Sequence, residues 1–298
     1  MQQHSSISWL VKCALSAAAL LLACGIATAF FGSNLKLPAT TTRDGTLITL
    51  NRYVQEPVPD VVLVGSSITF RLNEEYFATP RLRNLALAGG SPITGLEVVL
   101  AQPRWPKLVV VETNVMSRPP DEALVARFAR AQGAEQRFLR PIRVAVAAYE
   151  NRIHAPLTHA QIMTAMDDLL KQPPHDFDNR IYVERAARDL DEDPTVAAEA
   201  NLARLTTLIE QARGQGVRVM LVELPFPKEI EASRAVELTR RRAHAGFADP
   251  ALWLPIDVDR KELRWLDGVH LDERSAMLVA RSIDRSLAQI LLANHEAD

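Results

Sequence analysis

The sequence predicts an α/β protein: a three-layer α/β/α sandwich around a five-stranded, mostly parallel sheet, preceded by an N-terminal transmembrane helix. Short runs of β-branched residues alternate with longer amphipathic segments, which is the pattern of consecutive βαβ units. Most of these runs end in glycine or in small polar residues, as strands do at the ligand-binding edge of an open parallel sheet. An uncharged apolar segment at residues 13–31 supplies the transmembrane helix.

The composition of the 298-residue chain is that of a globular protein, with 48% hydrophobic and 23% charged residues. A net charge of −2 gives no basic footprint for nucleic acid, so no nucleic-acid partner is predicted. No Cys/His cluster or glycine-rich phosphate loop is present in the sequence, so we expect neither a metal nor a cofactor. Both cysteines, Cys13 and Cys24, lie in the apolar segment, which leaves the body without a disulfide or a thiol nucleophile.

The apolar segment at 13–31 would span ~29 Å as a helix, close to the thickness of the hydrocarbon core of a bilayer. Lys12 precedes it and no acidic residue does, which favours an N-terminus inside and a body outside the cytoplasm. Three interpretations remain open: an uncleaved signal anchor in the inner membrane, which we favour; a signal peptide cleaved after Ala27-Thr28-Ala29; or a lipoprotein modified at Cys24. All three place the body on the periplasmic, extracytoplasmic side.

Residues 32–58 are polar and rich in turn-forming residues, which predicts a tether with one short strand at 46–50. The predicted domain, residues 59–298, opens with a buried strand at Val61–Val64 that runs into Gly65. Two serines follow on the turn toward a helix, and a serine there is well placed to be a nucleophile near backbone N–H groups. The alternative is an ordinary βα turn, where glycine and serine are common for conformational reasons.

Two further strand ends carry small or polar residues. The predicted second strand, 83–87, is followed by Gly89, which lets the backbone approach another group closely. The predicted third strand, 107–112, is followed by Asn114. Because the carboxyl ends of parallel strands share one edge of a sheet, we expect these residues to lie near the serine turn.

The remainder of the chain continues the alternation of strands and helices. Residues 120–194, including a helical pattern at 138–153, exceed what one crossover needs, which predicts a helical insertion between strands three and four. An Asp-x-x-His loop, from Asp267 to His270, comes just before the last helix. The other predicted elements are strands at 217–221 and 253–256 and helices at 93–102, 195–211, 230–244 and 274–293.

Four short motifs, taken in chain order, resemble the sequence blocks of the SGNH (GDSL-type) hydrolase superfamily, in particular its membrane-tethered bacterial members. The motifs are Gly65-Ser66-Ser67-Ile68-Thr69, residues 84–89, Glu112-Thr113-Asn114 and Asp267-Gly268-Val269-His270. The resemblance implies the flavodoxin-like fold of that superfamily and a hydrolysis that passes through an acyl-serine intermediate without a cofactor.

The resemblance also assigns roles within the motifs. It implies that the nucleophile is the second serine, Ser67, rather than its neighbour Ser66. His270 is the candidate base, and Asp267, three residues earlier, is close enough to bind its Nδ1 and fix the tautomer. The implied oxyanion hole consists of the backbone N–H groups of Ser67 and Gly89 and the side-chain amide of Asn114.

Three positions depart from the superfamily pattern, and one of them is Val115, where the third block usually carries aspartate. The first block usually carries aspartate where this chain has Ser66, and the third usually carries glycine where it has Glu112. On an extended strand Glu112 points the same way as Asn114, two residues later. Glu112 therefore either borders the site or pairs with a nearby arginine such as Arg118.

Three functions fit these residues. The first is a serine esterase outside the cytoplasm that removes a short acyl group, such as O-acetyl, from an envelope carbohydrate or lipid. The second is an O-acyltransferase that modifies an exported polysaccharide with the same triad, together with a membrane-bound partner that exports acyl groups. The third is a non-catalytic carbohydrate-binding or scaffold protein of the same fold, against which the intact set Ser67, His270 and Asp267 argues.

Overall fold

The protein is α/β, with a parallel sheet and an N-terminal apolar helix, as the sequence predicts. A computed structural model of the chain describes residues 2–31, 39, 41–129, 146–147, 149–150, 153 and 157–295. Most of the helical pattern predicted at 138–153 lies outside these described residues.

The sheet in the described part of the chain has four strands, β1 (Val61–Val64), β2 (Leu82–Asn84), β3 (Leu108–Glu112) and β4 (Arg218–Val222). Their spatial order is β2-β1-β3-β4, and each neighbouring pair is parallel. The chain leaves central strand β1 for β2 on one side and then returns to β3 on the other. The carboxyl ends of β1 and β3 therefore form the topological switch point, where open α/β sheets bind ligands.

The prediction of a fifth strand at 253–256 is wrong. Trp253 makes one isolated parallel bridge with Leu221 of β4, and the Leu254 N–H donates to the Leu221 carbonyl at 2.7 Å. The next residue, Pro255, has no N–H and cannot extend a ladder. The chain therefore runs beside β4 for only two residues, and the expected strand is reduced to a bridge.

Along the described part of the chain, helices precede the first strand, lie between the strands and follow the last strand. The prediction of one helix at 230–244 is corrected to two, because the Ser233 hydroxyl donates to the Ile230 carbonyl at 2.6 Å and ends the first of them. The helices are α1 (Gln2–Phe31), α2 (Thr42–Gln55), α3 (Ser67–Phe70), α4 (Pro92–Leu100), α5 (Glu122–Ala129), α6 (His159–Lys171), α7 (Arg180–Asp189), α8 (Thr195–Gly214), α9 (Lys228–Glu231), α10 (Arg234–Gly246) and α11 (Glu273–His295).

Both faces of the sheet are buried. Val62 and Val64 of β1 belong to a first apolar cluster that includes side chains of α2, α4 and α8. Val61 and Leu63 point the other way, into a second cluster that includes side chains of α3, α7 and α11. Burial on both faces explains why the strands read as continuous apolar runs rather than as polar–apolar alternation. Each fully buried side chain of this kind stabilises the fold by ~1.5–3 kcal/mol.

The strand predicted at 46–50 is wrong, because these residues belong to helix α2. The Thr41 hydroxyl oxygen caps the helix by accepting from the Asp44 N–H at 3.1 Å. Leu50 and Tyr53, three residues apart on one helical face, are buried in the first cluster. Residues 42–55 of the predicted tether thus pack against the domain.

Helix α1 runs from Gln2 to Phe31 and contains a candidate membrane span at Ser8–Ile26. The mean hydropathy of that span is 2.0, and none of it is buried inside the protein. Its exposed side chains include Leu15 and Leu20, which are 65% and 68% exposed. A helix of this length and composition suits a membrane anchor or a signal sequence.

Candidate active site

Ser67 lies on a tight turn between β1 and α3. Ser66 caps this helix: its hydroxyl oxygen accepts from the Ile68 N–H at 3.2 Å and its carbonyl oxygen from the Phe70 N–H at 3.0 Å. Ser66 is fully buried, whereas Ser67 is partly exposed. Of the two serines, Ser67 is therefore the one that a substrate can reach.

A buried carboxylate from the neighbouring strand holds the serine turn. Glu112 is 0% exposed, and its Oε2 accepts from Ser66 N–H at 2.8 Å, Thr69 Oγ1 at 2.6 Å and Thr69 N–H at 3.3 Å. Its Oε1 accepts from Ser66 Oγ at 2.8 Å. Among the described residues no cation lies within ion-pair distance of Glu112, so these donors alone satisfy it. The alternative of a pair with Arg118 is not observed, and the Glu112 carboxylate contacts the serine turn.

Gly65 makes the contact between the two strands possible. A β-carbon at this position would lie 2.2 Å from Thr69 Oγ1 and 2.6 Å from Glu112 Oε2. Both atoms are fixed by hydrogen bonds in the interior and cannot move aside without breaking them. The glycine at the end of β1 is therefore required for the approach of the Glu112 carboxylate to the turn.

Asp267 and His270 are in direct contact. His270 Nδ1 lies 2.8 Å from Asp267 Oδ2, and because a carboxylate only accepts, Nδ1 carries the proton and Nε2 is free to take one. Asp267 Oδ1 also accepts from the backbone N–H groups of Val269 at 2.9 Å and His270 at 2.8 Å. Partial burial acts to raise the pKa of Asp267, but these hydrogen bonds outweigh it and hold that pKa well below its usual range.

The Asp267–His270 loop lies against the segment that follows the serine turn. Arg71, four residues after Ser67, donates from Nε to the Leu271 carbonyl at 3.1 Å. Leu271 also shares the second apolar cluster with Ile68 of α3. Within the described part of the chain no hydrogen bond joins Ser67 to His270. Catalytic hydrogen bonds in unliganded sites are often long and tighten when substrate binds.

The implied oxyanion donors lie at the same edge of the sheet. The Leu87 N–H donates to the Gly65 carbonyl at 2.9 Å, which holds the segment leading to Gly89 beside the serine turn. Gly89 has a φ of +75°, a conformation that favours glycine. The Asn114 side chain donates from Nδ2 to the Leu224 carbonyl and accepts from the Leu224 N–H, both at 2.8 Å. Among the described residues the Leu224 carbonyl is the one acceptor of the two N–H groups of that amide.

The sequence comparisons do not identify a family. The sequence matches no protein-family model, and no curated protein matches it at a significant level. Among the described residues, no group of three His, Cys, Asp or Glu side chains is arranged to hold a metal ion. Membership of the SGNH superfamily therefore stays a prediction that rests on the four sequence motifs.

Thr69 and Arg71 belong to the site but were not predicted as site residues. Thr69 supplies two of the donors to Glu112, and Arg71 joins the serine segment to the loop of His270. A signal for Thr69 is present in the sequence, since a carboxylate within an apolar strand needs donors and Thr69 is the hydroxyl one helical turn beyond Gly65. No local pattern identifies Arg71, because its partner is a backbone carbonyl 200 residues away in the chain.

Proposed function

We propose that the protein is an SGNH-type serine hydrolase that cleaves O-acyl esters, O-acetyl in the first instance, outside the cytoplasm. The observation that carries the proposal is the 2.8 Å contact between His270 Nδ1 and Asp267 Oδ2 in an Asp-x-x-His loop. That loop is hydrogen-bonded through Leu271 to the segment after Ser67. The proposed fold is the flavodoxin-like, three-layer arrangement of the superfamily, reduced here to four strands.

In this mechanism His270 Nε2 takes the proton from Ser67 Oγ as that oxygen attacks the ester carbonyl carbon. The tetrahedral oxyanion accepts hydrogen bonds from the N–H groups of Ser67 and Gly89 and from Asn114 Nδ2. His270 returns the proton to the alcohol oxygen as the C–O bond breaks, which leaves an acyl-serine. Water then attacks with His270 again as base, and Asp267 stabilises the imidazolium at each step.

The carboxylate that the superfamily carries at the position of Ser66 has a counterpart in Glu112. In this proposal Glu112 does not touch the substrate, because it is fully buried beneath the serine turn. It fixes the backbone of Ser66 and the side chain of Thr69 on either side of Ser67. The departures at Ser66 and Glu112 are thus one exchange of a carboxylate between neighbouring strands.

Acyl transfer is the second candidate function, and the N-terminal apolar helix favours it. Helix α1 suits a membrane anchor, where a partner that exports acyl groups would also lie. In transfer, a polysaccharide hydroxyl replaces water in the second step and His270 takes its proton. The ratio of free acid to acylated sugar, measured with an added oligosaccharide acceptor, separates the two activities.

The deciding experiment labels the nucleophile of the full-length protein in detergent. A fluorophosphonate probe should modify the wild type and the Ser66→Ala variant, and peptide mass analysis should locate the label on Ser67. The Ser67→Ala variant should neither react with the probe nor hydrolyse 4-nitrophenyl acetate. Labelling or turnover that survives in the folded Ser67→Ala protein would refute the proposal.

A further inference from the structure

A cavity of about 420 Å³ opens between helix α2 and the turns that follow β1 and β2. Its volume falls at the small end of the range for small-molecule sites, ~300–1,000 Å³. One wall is formed by residues of α2 and the other by residues near the candidate catalytic groups. The lining that matters is Thr42, Gly45, Thr46 and Thr49 on the first wall and Phe70 and Ala88 on the second.

The cavity is lined by chain neighbours of the candidate nucleophile and of the candidate oxyanion glycine. Phe70 is three residues after Ser67 in α3, and residues at that spacing lie on the same side of a helix. Ala88 directly precedes Gly89, and a β-carbon built on Gly89 would lie 4.0 Å from Thr42 Cγ2. A molecule in the cavity would therefore extend from an ester bound at Ser67.

The lining suits a neutral molecule that carries hydroxyl groups. None of the side chains that line the cavity in the described part of the chain is charged, which disfavours a phosphate or a carboxylate. The hydroxyls of Thr46 and Thr49 make no hydrogen bond to any described residue, whereas Thr206 on α8 donates to the carbonyl four residues earlier at 3.1 Å. These two hydroxyls therefore keep their full capacity to donate and accept.

The opposite wall offers an aromatic surface. Phe70 is 50% exposed, an unusual position for a large apolar side chain next to a buried turn. A sugar ring has hydroxyls that match Thr46 and Thr49 and C–H groups that pack on such a ring. An acetyl group alone is far smaller than the cavity, and a lipid chain would leave the two hydroxyls unpaired.

We propose that this cavity binds the neutral sugar ring whose acyl ester reacts at Ser67, and that helix α2 thereby sets the specificity for carbohydrate. The proposal rests on the proposed function. It also limits where the sugar lies: the ten residues 32–41 join α1 to α2 and span at most ~36 Å when extended. With α1 in a membrane, the bound sugar is held near the membrane surface.

The test compares two acetate esters with one double variant of the full-length protein in detergent. Thr46→Val with Thr49→Val preserves shape and removes both hydroxyls. For methyl glucoside bearing one O-acetyl group, kcat/KM should fall about 10-fold, mainly through KM, since each lost hydrogen bond contributes modestly. Turnover of 4-nitrophenyl acetate, which has no sugar ring, should stay within about twofold of wild type. The matched control, Thr206→Val with Thr207→Val on α8, should change neither.

A second variant fills the cavity. A β-carbon on Gly45 would lie 3.5 Å from Ala39 Cβ, an ordinary contact, and Gly45 lines the cavity, so we expect the side chain of Gly45→Leu to occupy the space for the ring. It should abolish binding of the acetylated glucoside to a Ser67→Ala background, measured by ligand-observed NMR. Thermal melts establish that the variants fold.

The outcomes separate this proposal from the function on which it rests. Unchanged kinetics of the sugar ester in the Thr46→Val, Thr49→Val variant, with turnover still lost in Ser67→Ala, would overturn the sugar site alone. An equal fall for both esters, or a response to acyl chain length instead of to the sugar, would also overturn it. Turnover that persists in Ser67→Ala would refute the hydrolase proposal itself.

Discussion

The buried carboxylate of Glu112 gives the sharpest prediction for stability. Glu112→Ala removes the only acceptor that the described residues offer to the Ser66 and Thr69 backbone N–H groups, both of which belong to buried residues. An unsatisfied buried donor costs ~1–3 kcal/mol, so these two alone should lower the free energy of unfolding by ~2–6 kcal/mol. Domains are typically stable by only ~5–15 kcal/mol, so the loss is large.

Glu112→Gln should lower the free energy of unfolding less, because the amide oxygen can take the place of Oε2 and accept from the same three donors. The new amide N–H would face Ser66 Oγ, which has a second lone pair beyond the one used by Ile68. The remaining loss is the charge assistance of the hydrogen bonds, ~1–2 kcal/mol. We therefore expect the order wild type, glutamine variant, alanine variant in the free energy of unfolding.

Urea unfolding at equilibrium measures both effects as a shift in the midpoint at constant slope. The matched control is Glu199→Ala, because Glu199 is an exposed carboxylate paired with Arg242 at 3.1 Å. Such surface pairs are typically worth at most ~1 kcal/mol. If Glu112→Ala proved no more destabilising than this control, the role assigned to the carboxylate would be wrong.

Two further predictions concern the same site. Gly65→Ala should lower the free energy of unfolding by ~1–3 kcal/mol or more, because its β-carbon would collide with Thr69 and Glu112. An unfolding midpoint equal to that of the wild type would contradict the close approach of these two residues to Gly65. Asp267→Asn should lower kcat by up to ~10⁴-fold with little change in KM, because the imidazolium of His270 loses its counter-charge. Since folding lowers the pKa of Asp267, its stabilising effect is present above the unfolded pKa and is lost in acid. The difference in melting temperature between wild type and Asp267→Asn should therefore shrink below about pH 4, and a constant difference would contradict the pKa shift.

The parallel sheet could be predicted because its strands are continuous β-branched runs, such as Val61–Val64, that need no partner to be recognised. The same pattern does not reveal that a fifth strand is absent. The apolar run at 253–256 resembles a strand, but pairing depends on a backbone N–H that Pro255 lacks. The threonines of α2 favour a strand locally, which is why the sequence predicts one there, whereas the burial of Leu50 and Tyr53 on one face stabilises a helix.

The candidate site, like the fold, could be predicted from the sequence only in part. The Asp267–His270 contact joins residues three apart in one loop, so it could be predicted from the sequence. The contacts of Glu112 depend on the register of β3 against β1, which brings together groups 46 residues apart. Local patterns carry no register, so the sequence alone does not distinguish a carboxylate at the border of the site from one paired with an arginine.

Helix α2 has a consequence for any form of the protein that is released from α1. A chain that starts at residue 59 would lack Leu50 and Tyr53 and would expose the apolar surface that they cover. A chain cut after Ala29 would keep α2 and the complete first cluster. Shedding at the Ala27-Thr28-Ala29 sequence and retention of the anchor thus yield the same folded body, free to diffuse in one case and confined to a surface in the other.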